Sequence, residues 1–246
     1  MKGLHAVVTG GGSGIGLAVA EGLAAAGARV TLMGRNMAPL QAEAARLGAA
    51  AQRVDVADEA SVRAAFATVG AVDILVNNAG VVETAPLKNT SLAQWNRMLQ
   101  VNLTGTFLCS REVVGGMGER GFGRIVNVAS TAALKGYAYV AAYCASKHGV
   151  IGLTRAMAIE MASKGVTVNA VCPGYTQTAI VEEALNTIMA KTGRNREEAL
   201  TVLTASNPQG RLIRPAEVAA AVLHLASREA ASITGQALSI SGGEVM

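Results

Sequence analysis

Along the chain, short runs rich in β-branched residues alternate with longer stretches of helical periodicity. The apolar runs predict strands at His5–Thr9, Arg29–Met33, Ala51–Val54, Ile74–Asn77, Arg124–Val128, Val166–Val171 and Ala237–Ile240. Between them, helical patterns fall at Gly14–Ala26, Ala38–Leu47, Glu59–Ala67, Leu92–Gly116, Tyr143–Lys164 and Pro215–Ala226. Strands joined by helices require right-handed crossovers. The expected fold class is therefore α/β, one doubly wound parallel sheet of about seven strands with helices on both faces. The first four strands read as nearly continuous apolar runs, as strands covered on both sides do. No linker or repeat divides the chain, and 246 residues suit a single domain, 1–246. One stretch breaks the rhythm. Residues 178–206 are helical by propensity and charged (Glu182, Glu183, Lys191, Arg194, Arg196, Glu197, Glu198), which predicts an insertion lying over the site as a lid.

Composition narrows the function classes. The chain is 51% hydrophobic but only 3% aromatic, so Ala, Val, Leu and Ile must fill the core. A net charge of +4 comes from scattered cations with no interleaved aromatics, which argues against nucleic acid. No apolar stretch reaches the ~18 residues of a membrane span. The opening MKGLHAVVTGGG has no signal-type block. Cys109, Cys144 and Cys172 have neither disulfide-pair nor metal-ligand spacing, so no metal is expected and the thiols read as reduced, in a cytoplasmic protein.

The chemistry-bearing residues lie at the strand ends. His5 to Gly16 runs from a strand through a glycine-rich turn into a helix. Gly10 permits the turn, Gly14 lets backbone approach a pyrophosphate, and Gly16 allows close packing. Gly12, Ser13 and Ile15 complete the cradle at the positive helix end. A purely structural turn is the competing reading. Tyr143 and Lys147 stand at i and i+4, where a fixed ammonium, with a nicotinamide cation, would draw a phenol's pKa toward neutrality. As a lone pattern this pair is also compatible with an ordinary surface pair.

At the end of the second predicted strand, Gly34 stands where an NAD-preferring site places a carboxylate for the ribose 2′-OH, and Arg35 and Asn36 follow. A guanidinium can pair with a 2′-phosphate that a carboxylate would repel. NADP(H) is therefore favoured, with NAD(H) the alternative if Arg35 is only a solvated charge.

The spacing Thr9-Gly10-x3-Gly14-x-Gly16 resembles the opening of the short-chain dehydrogenase/reductase family, and Asn77-Asn78-Ala79-Gly80 follows the fourth strand as it does there. The resemblance implies a Rossmann-type fold in which Asn78, Ala79 and Gly80 line the adenosine side, although an ordinary Asn-Gly turn would read the same. It also implies that Asp55, with Val56, receives the adenine amino group. Ser130, thirteen residues before Tyr143, matches the family's carbonyl-polarising serine. Asn102 matches the asparagine that shapes a helix and holds a water beside the lysine. Pro173-Gly174-Tyr175-Thr176-Gln177-Thr178 matches the nicotinamide-side segment, with Thr178 on the carboxamide.

By the same resemblance, Tyr143 protonates the alkoxide as hydride arrives, Ser130 steadies the same oxygen, and Lys147 bonds the nicotinamide ribose. The implied pocket is lined by Ser130, Leu134, Tyr137, Val140, Tyr143 and Tyr175. The chain looks most like 3-oxoacyl thioester reductases and polyketide ketoreductases. That implies a ketone or acyl-thioester substrate on coenzyme A or an acyl carrier protein, with Arg124 and Lys164 as positive charges toward that partner, and a homotetramer. Two alternatives stay open: a catabolic dehydrogenase of a 3-hydroxyacyl-CoA, cyclic or other secondary alcohol, and a non-catalytic dinucleotide sensor. His5, His148, His224 and Cys144 read as packed or surface residues.

Overall fold

In the computed structural model, which describes residues 1–246, seven parallel strands form one sheet in the order β3-β2-β1-β4-β5-β6-β7. These are β1 (His5–Thr9), β2 (Arg29–Gly34), β3 (Ala50–Arg53), β4 (Ile74–Asn77), β5 (Gly123–Val128), β6 (Val166–Pro173) and β7 (Ala237–Ile240). The helices are α1 (Gly14–Ala25), α2 (Met37–Leu47), α3 (Glu59–Val69), α4 (Leu92–Leu99), α5 (Gly105–Glu119), α6 (Ala141–Met161), α7 (Ala179–Thr192), α8 (Arg196–Thr204) and α9 (Pro215–Ala226). The strand order reverses between β1 and β4, the place where a doubly wound sheet opens a crevice at its carboxyl ends.

Alternation along the strands explains the two covered faces. Ala6, Val8, Ile74, Val76, Val126 and Val128 pack with Val19 and Leu23 of α1 and with Val218 and Val222 of α9. Val7, Leu75, Ile125 and Val168 pack on the opposite side, against α3 (Val62, Phe66), α5 (Leu108, Val113) and α6 (Ala158, Met161). Each fully buried aliphatic side chain contributes about 1.5–3 kcal/mol, so a strand feeding both cores is pinned in register.

Two elements differ from the sequence expectation. β3 is half-exposed rather than covered on both faces, because it is the edge strand. The single helix expected over Leu92–Gly116 is divided into α4 and α5 by a π-helical turn, Gln100–Thr104. The wider turn carries the Asn102 side chain onto Val81 and seats Gly105 under Val56, where a Cβ would lie 2.9 Å from the valine methyl. Residues 178–206 form two helices with a small core of their own (Val181, Leu185, Ala199, Leu203). Asn195 and Glu198 box the start of α8, and a two-pronged Arg196–Glu182 pair at 2.7 and 2.8 Å ties it to α7.

Candidate active site

The glycine turn leaves β1 at Thr9 with Gly10 at φ +63° and Gly14 at φ +54°, both in the region that side chains avoid. A Cβ on Gly16 would stand 2.4 Å from the Gly10 carbonyl oxygen, so α1 can start here only on glycine. Asn78 braces the turn: its Nδ2 donates to the carbonyls of Thr9 and Gly10 at 3.0 and 3.1 Å. The Thr9 hydroxyl in turn accepts from the Asn78 and Ala79 amides at 3.0 and 3.1 Å. Asn78 and Ala79 therefore hold the cradle's shape. Ser13 is the N-cap of α1 but makes no capping bond, and no acid occupies the first turn, so the positive helix end faces the crevice without a protein counter-charge. Gly12 packs on Leu40, and Ile15 joins the α1–α9 core.

At the adenosine end, Arg35 and Asn36 are exposed just beyond β2. The sequence motifs do not mark Arg53, yet the β2–β3 register pairs it with Gly34, so two exposed arginines flank the position without a carboxylate. Only the strand register reveals that proximity. Asp55 accepts from the Ala57 amide at 3.0 Å, while Val56 is buried against Gly105.

At the chemical end, Ser130 follows β5 and its Oγ accepts from the Ala132 amide at 3.1 Å. The Tyr143 phenol stands in the first turn of α6, where the Ser130 side chain acts to lower its pKa. Lys147, one turn on, is buried; its Nζ donates to the Val128 carbonyl at 2.8 Å and lies 5.7 Å from the centre of the Tyr143 ring. Burial pushes the Lys147 pKa down to about 8. Burial also raises the Tyr143 phenol above its ordinary value, against the opposing effect of Ser130. The expected shift toward neutrality invokes a nicotinamide cation as well as the ammonium, and the protein's own groups do not supply it. Desolvation prevails, and the phenol is a protonated donor at pH 7.

Asn102 lies in the π-helical turn between α4 and α5. Its Oδ1 accepts from the Val81 amide at 2.8 Å, and its Nδ2 donates to the Val81 carbonyl at 2.9 Å and the Ser146 hydroxyl at 3.0 Å. The carboxamide is consumed in clamping the loop after β4 to α6, with Ser146 passing the contact to the Tyr143 carbonyl at 2.8 Å. Gly80 lies under this clamp: a Cβ there would be 3.3 Å from Asn102 Oδ1 and 3.6 Å from Lys147 Nζ. The phosphate turn, Asn78–Gly80 and Lys147 thus form one continuous wall.

Beyond β6, the Thr176 hydroxyl bonds the Gly174 carbonyl at 2.9 Å, and Thr178 begins α7 with its methyl group beside Gly14. Pro173 ends β6 in the buried interior. Leu134 leans on the small cluster around Ala129 and Ile151, Val140 caps α6, and Tyr175 is exposed. The Tyr137 hydroxyl is taken up by Glu244, a residue outside the sequence motifs.

Arg124 departs from its implied role. It is buried at the opposite end of the sheet, giving its guanidinium to the carbonyls of Ser227, Gly123 and Gly165. Lys164, though exposed, precedes β6 at that same far end. His5 is a satisfied core histidine between Ala71 and Thr31, at 2.7 and 2.9 Å. His148 turns back to the Cys144 carbonyl at 2.9 Å. No three His, Cys, Asp or Glu side chains gather as a metal set, and no helix is long and apolar enough to cross a membrane.

Residues 4–188 match the family model described as short chain dehydrogenase. The chain is 40% identical to a 3-oxoacyl-[acyl-carrier-protein] reductase of Vibrio cholerae, covering 100% of this chain and 99% of that one. It is 37% identical to a D-beta-hydroxybutyrate dehydrogenase of Rhizobium meliloti, covering 97% of each. An actinorhodin polyketide ketoreductase variant crystallised with NADPH superposes with a TM-score of 0.94 at 39% identity, over 98% of this chain and 97% of that one.

Proposed function

Since the chain belongs to the short-chain dehydrogenase family and is thereby an oxidoreductase of alcohols and carbonyls, we propose that it reduces a 3-oxoacyl thioester, on coenzyme A or an acyl carrier protein, to the secondary alcohol with NADPH. The observation that carries this reading is the Tyr143 phenol, kept protonated by burial, with Lys147 Nζ 5.7 Å from its ring centre and Ser130 acting on the same group.

The residues present fit a dinucleotide. Gly10, Gly14 and Gly16 leave a cradle that side chains would fill, and the uncapped end of α1 favours a pyrophosphate. Arg35 and Arg53 suit the two charges of a 2′-phosphate. Asp55 keeps one carboxylate oxygen for the adenine amino group, and Thr178 stands where the carboxamide would reach it. When bound, the reduced nicotinamide supplies a hydride.

The chain's own residues do the rest. Ser130 donates to the carbonyl oxygen, placing a dipole where negative charge develops. Tyr143 gives its proton to the same oxygen as the alkoxide forms. Lys147 Nζ has donors to spare beyond Val128 for the ribose hydroxyls, and its charge steadies the phenolate left behind. Asn102 fixes the loop and helix between which this happens. Leu134, Tyr137, Val140 and Tyr175 form an apolar wall for the acyl chain, and the α7–α8 pair covers it as a lid.

The same groups would run alcohol oxidation once the phenol ionises, which the hydroxybutyrate dehydrogenase likeness keeps as the second reading. Outward-facing Leu92 and Ile159, 72% and 82% exposed, suit helix pairing in a homotetramer, which sedimentation would test. Three free thiols suit the cytoplasm. The test of function is cofactor consumption over a carbonyl panel containing acetoacetyl and longer thioesters, with NADPH and NADH in parallel. Turnover with NADPH supports the proposal; binding without consumption on every carbonyl would leave a sensor.

A further inference from the structure

Glu244, in the C-terminal Ser-Gly-Gly-Glu-Val-Met segment, keeps only 2% of its side chain in solvent beside the pocket. Burying a carboxylate costs several kcal/mol unless donors surround it. Here three donors converge on a single oxygen, Oε1: the Tyr137 phenol at 2.5 Å, the Ser206 hydroxyl at 2.8 Å and the Lys135 ammonium at 3.1 Å. Burial presses the carboxyl's pKa upward, but the bonds from Tyr137, Ser206 and Lys135 outweigh it and hold the group below the usual range. The other oxygen, Oε2, faces Gly174, where a Cβ would stand only 3.2 Å away.

These contacts come from three separate pieces of the site. Lys135 and Tyr137 lie on the loop between Ser130 and α6, Ser206 follows α8, and Gly174 follows β6. The loop also contains Tyr139, the one non-glycine residue at positive φ (68°), so its path is not one the local backbone would choose unaided. Lys135 Nζ sits 4.8 Å from the centre of the Tyr137 ring, and the Tyr137 hydroxyl lies 2.8 Å from Thr131 Oγ1. The hydroxyl is thus fully engaged within the protein.

We propose that Glu244 is a positioning residue for substrate recognition: its carboxylate latches the 134–140 loop and the end of the α7–α8 pair to the Gly174 turn, and by engaging the Tyr137 hydroxyl it makes that wall present an aromatic ring instead of a free polar group. The proposal rests on the reading of Tyr137 as pocket wall and of 178–206 as its cover. It predicts a role in binding the carbonyl substrate, not in proton transfer and not in cofactor affinity.

The test compares wild type with Glu244→Ala, Glu244→Gln and Ser206→Ala. In limited trypsinolysis without ligands, cleavage at Lys135, Lys191, Arg194 and Arg196 should quicken ~5-fold or more in Glu244→Ala, with sites outside the latched segments unaffected. In kinetics, KM for the carbonyl should rise ~10-fold in Glu244→Ala while kcat and the NADPH Kd stay within ~2-fold, a loss of binding rather than of transition-state chemistry. Glu244→Gln, whose oxygen still accepts from Tyr137 or Ser206, should recover part of the loss. Ser206→Ala, a mild change, should raise KM in the same direction and covers the case in which Glu244→Ala does not fold. Unchanged cleavage and KM, a fall in kcat at constant KM, or accelerated cleavage throughout the chain would each overturn the latch. If wild type turned over no carbonyl, the functional proposal would fail, and the site-specific cleavage would still decide whether Glu244 ties these segments together.

Discussion

Lys147 holds its Nζ 5.7 Å from the centre of the Tyr143 ring, one turn along α6. In the proposed reduction the two groups serve one step from opposite directions of pKa. The phenol, raised by burial, keeps its proton to give away. The ammonium, pushed down to about 8, remains charged at neutral pH but is held at a cost to the fold.

That cost is measurable. Because the folded pKa of Lys147 is lowered, the unfolded chain holds more protons between about pH 8 and the ordinary lysine range, so stability rises with pH through that window. Below pH 8 the penalty is constant. Lys147→Met should therefore raise unfolding stability at pH 7 by about 1–3 kcal/mol, after allowing for the lost bond to the Val128 carbonyl, while abolishing turnover. Chemical denaturation checks this; a lower stability would mean that the ammonium's bonds outweigh its desolvation.

The same value sets the pH dependence of reduction. kcat/KM should be level at and below neutrality, where Tyr143 and Lys147 are both protonated, and should fall above about pH 8 as Lys147 loses its charge. A profile that stays flat from pH 7 to about 9.5 would contradict the role given to Lys147.

Cofactor choice is assigned to Arg35 and Arg53. In fluorescence titrations, Arg35→Ala and Arg53→Ala should each weaken NADPH ~10-fold, the loss of one charge-assisted contact, and leave NADH within ~2-fold. Equal weakening of both dinucleotides would remove the 2′-phosphate from the account.

Gly16 tests the cradle. In Gly16→Ala the new methyl would stand 2.4 Å from both the Gly10 oxygen and Asn78 Nδ2, and backbone cannot yield as a flexible side chain does. We expect a stability loss of about 2–3 kcal/mol together with weakened binding of both dinucleotides, read by thermal denaturation and titration.

What could be read in the sequence was whatever local pattern or fixed spacing encodes. Continuous apolar runs gave the strands and the two-faced cover, Gly10 and Ser130 followed from motifs at strand ends, and Tyr143 and Lys147 from their spacing on a helix. Tertiary relationships were not legible. Arg53 meets Gly34 only through the β2–β3 register, and both halves of a helix broken by a π turn keep helical periodicity, so Gln100–Thr104 left no trace. Arg124 reads as a charge at a strand end, yet backbone carbonyls from three segments enclose it. Glu244 stands 107 residues from the tyrosine it engages, and its burial depends on four segments folding together.

The central claim is that Tyr143 is the proton donor for carbonyl reduction. Tyr143→Phe removes the hydroxyl and keeps the ring, so the most direct measurement is NADPH consumption with an acyl-thioester ketone, alongside NADPH binding by fluorescence, in wild type and variant. The account predicts binding within ~2-fold and turnover lowered ~10³-fold or more. Turnover near that of wild type, with binding intact, would contradict it.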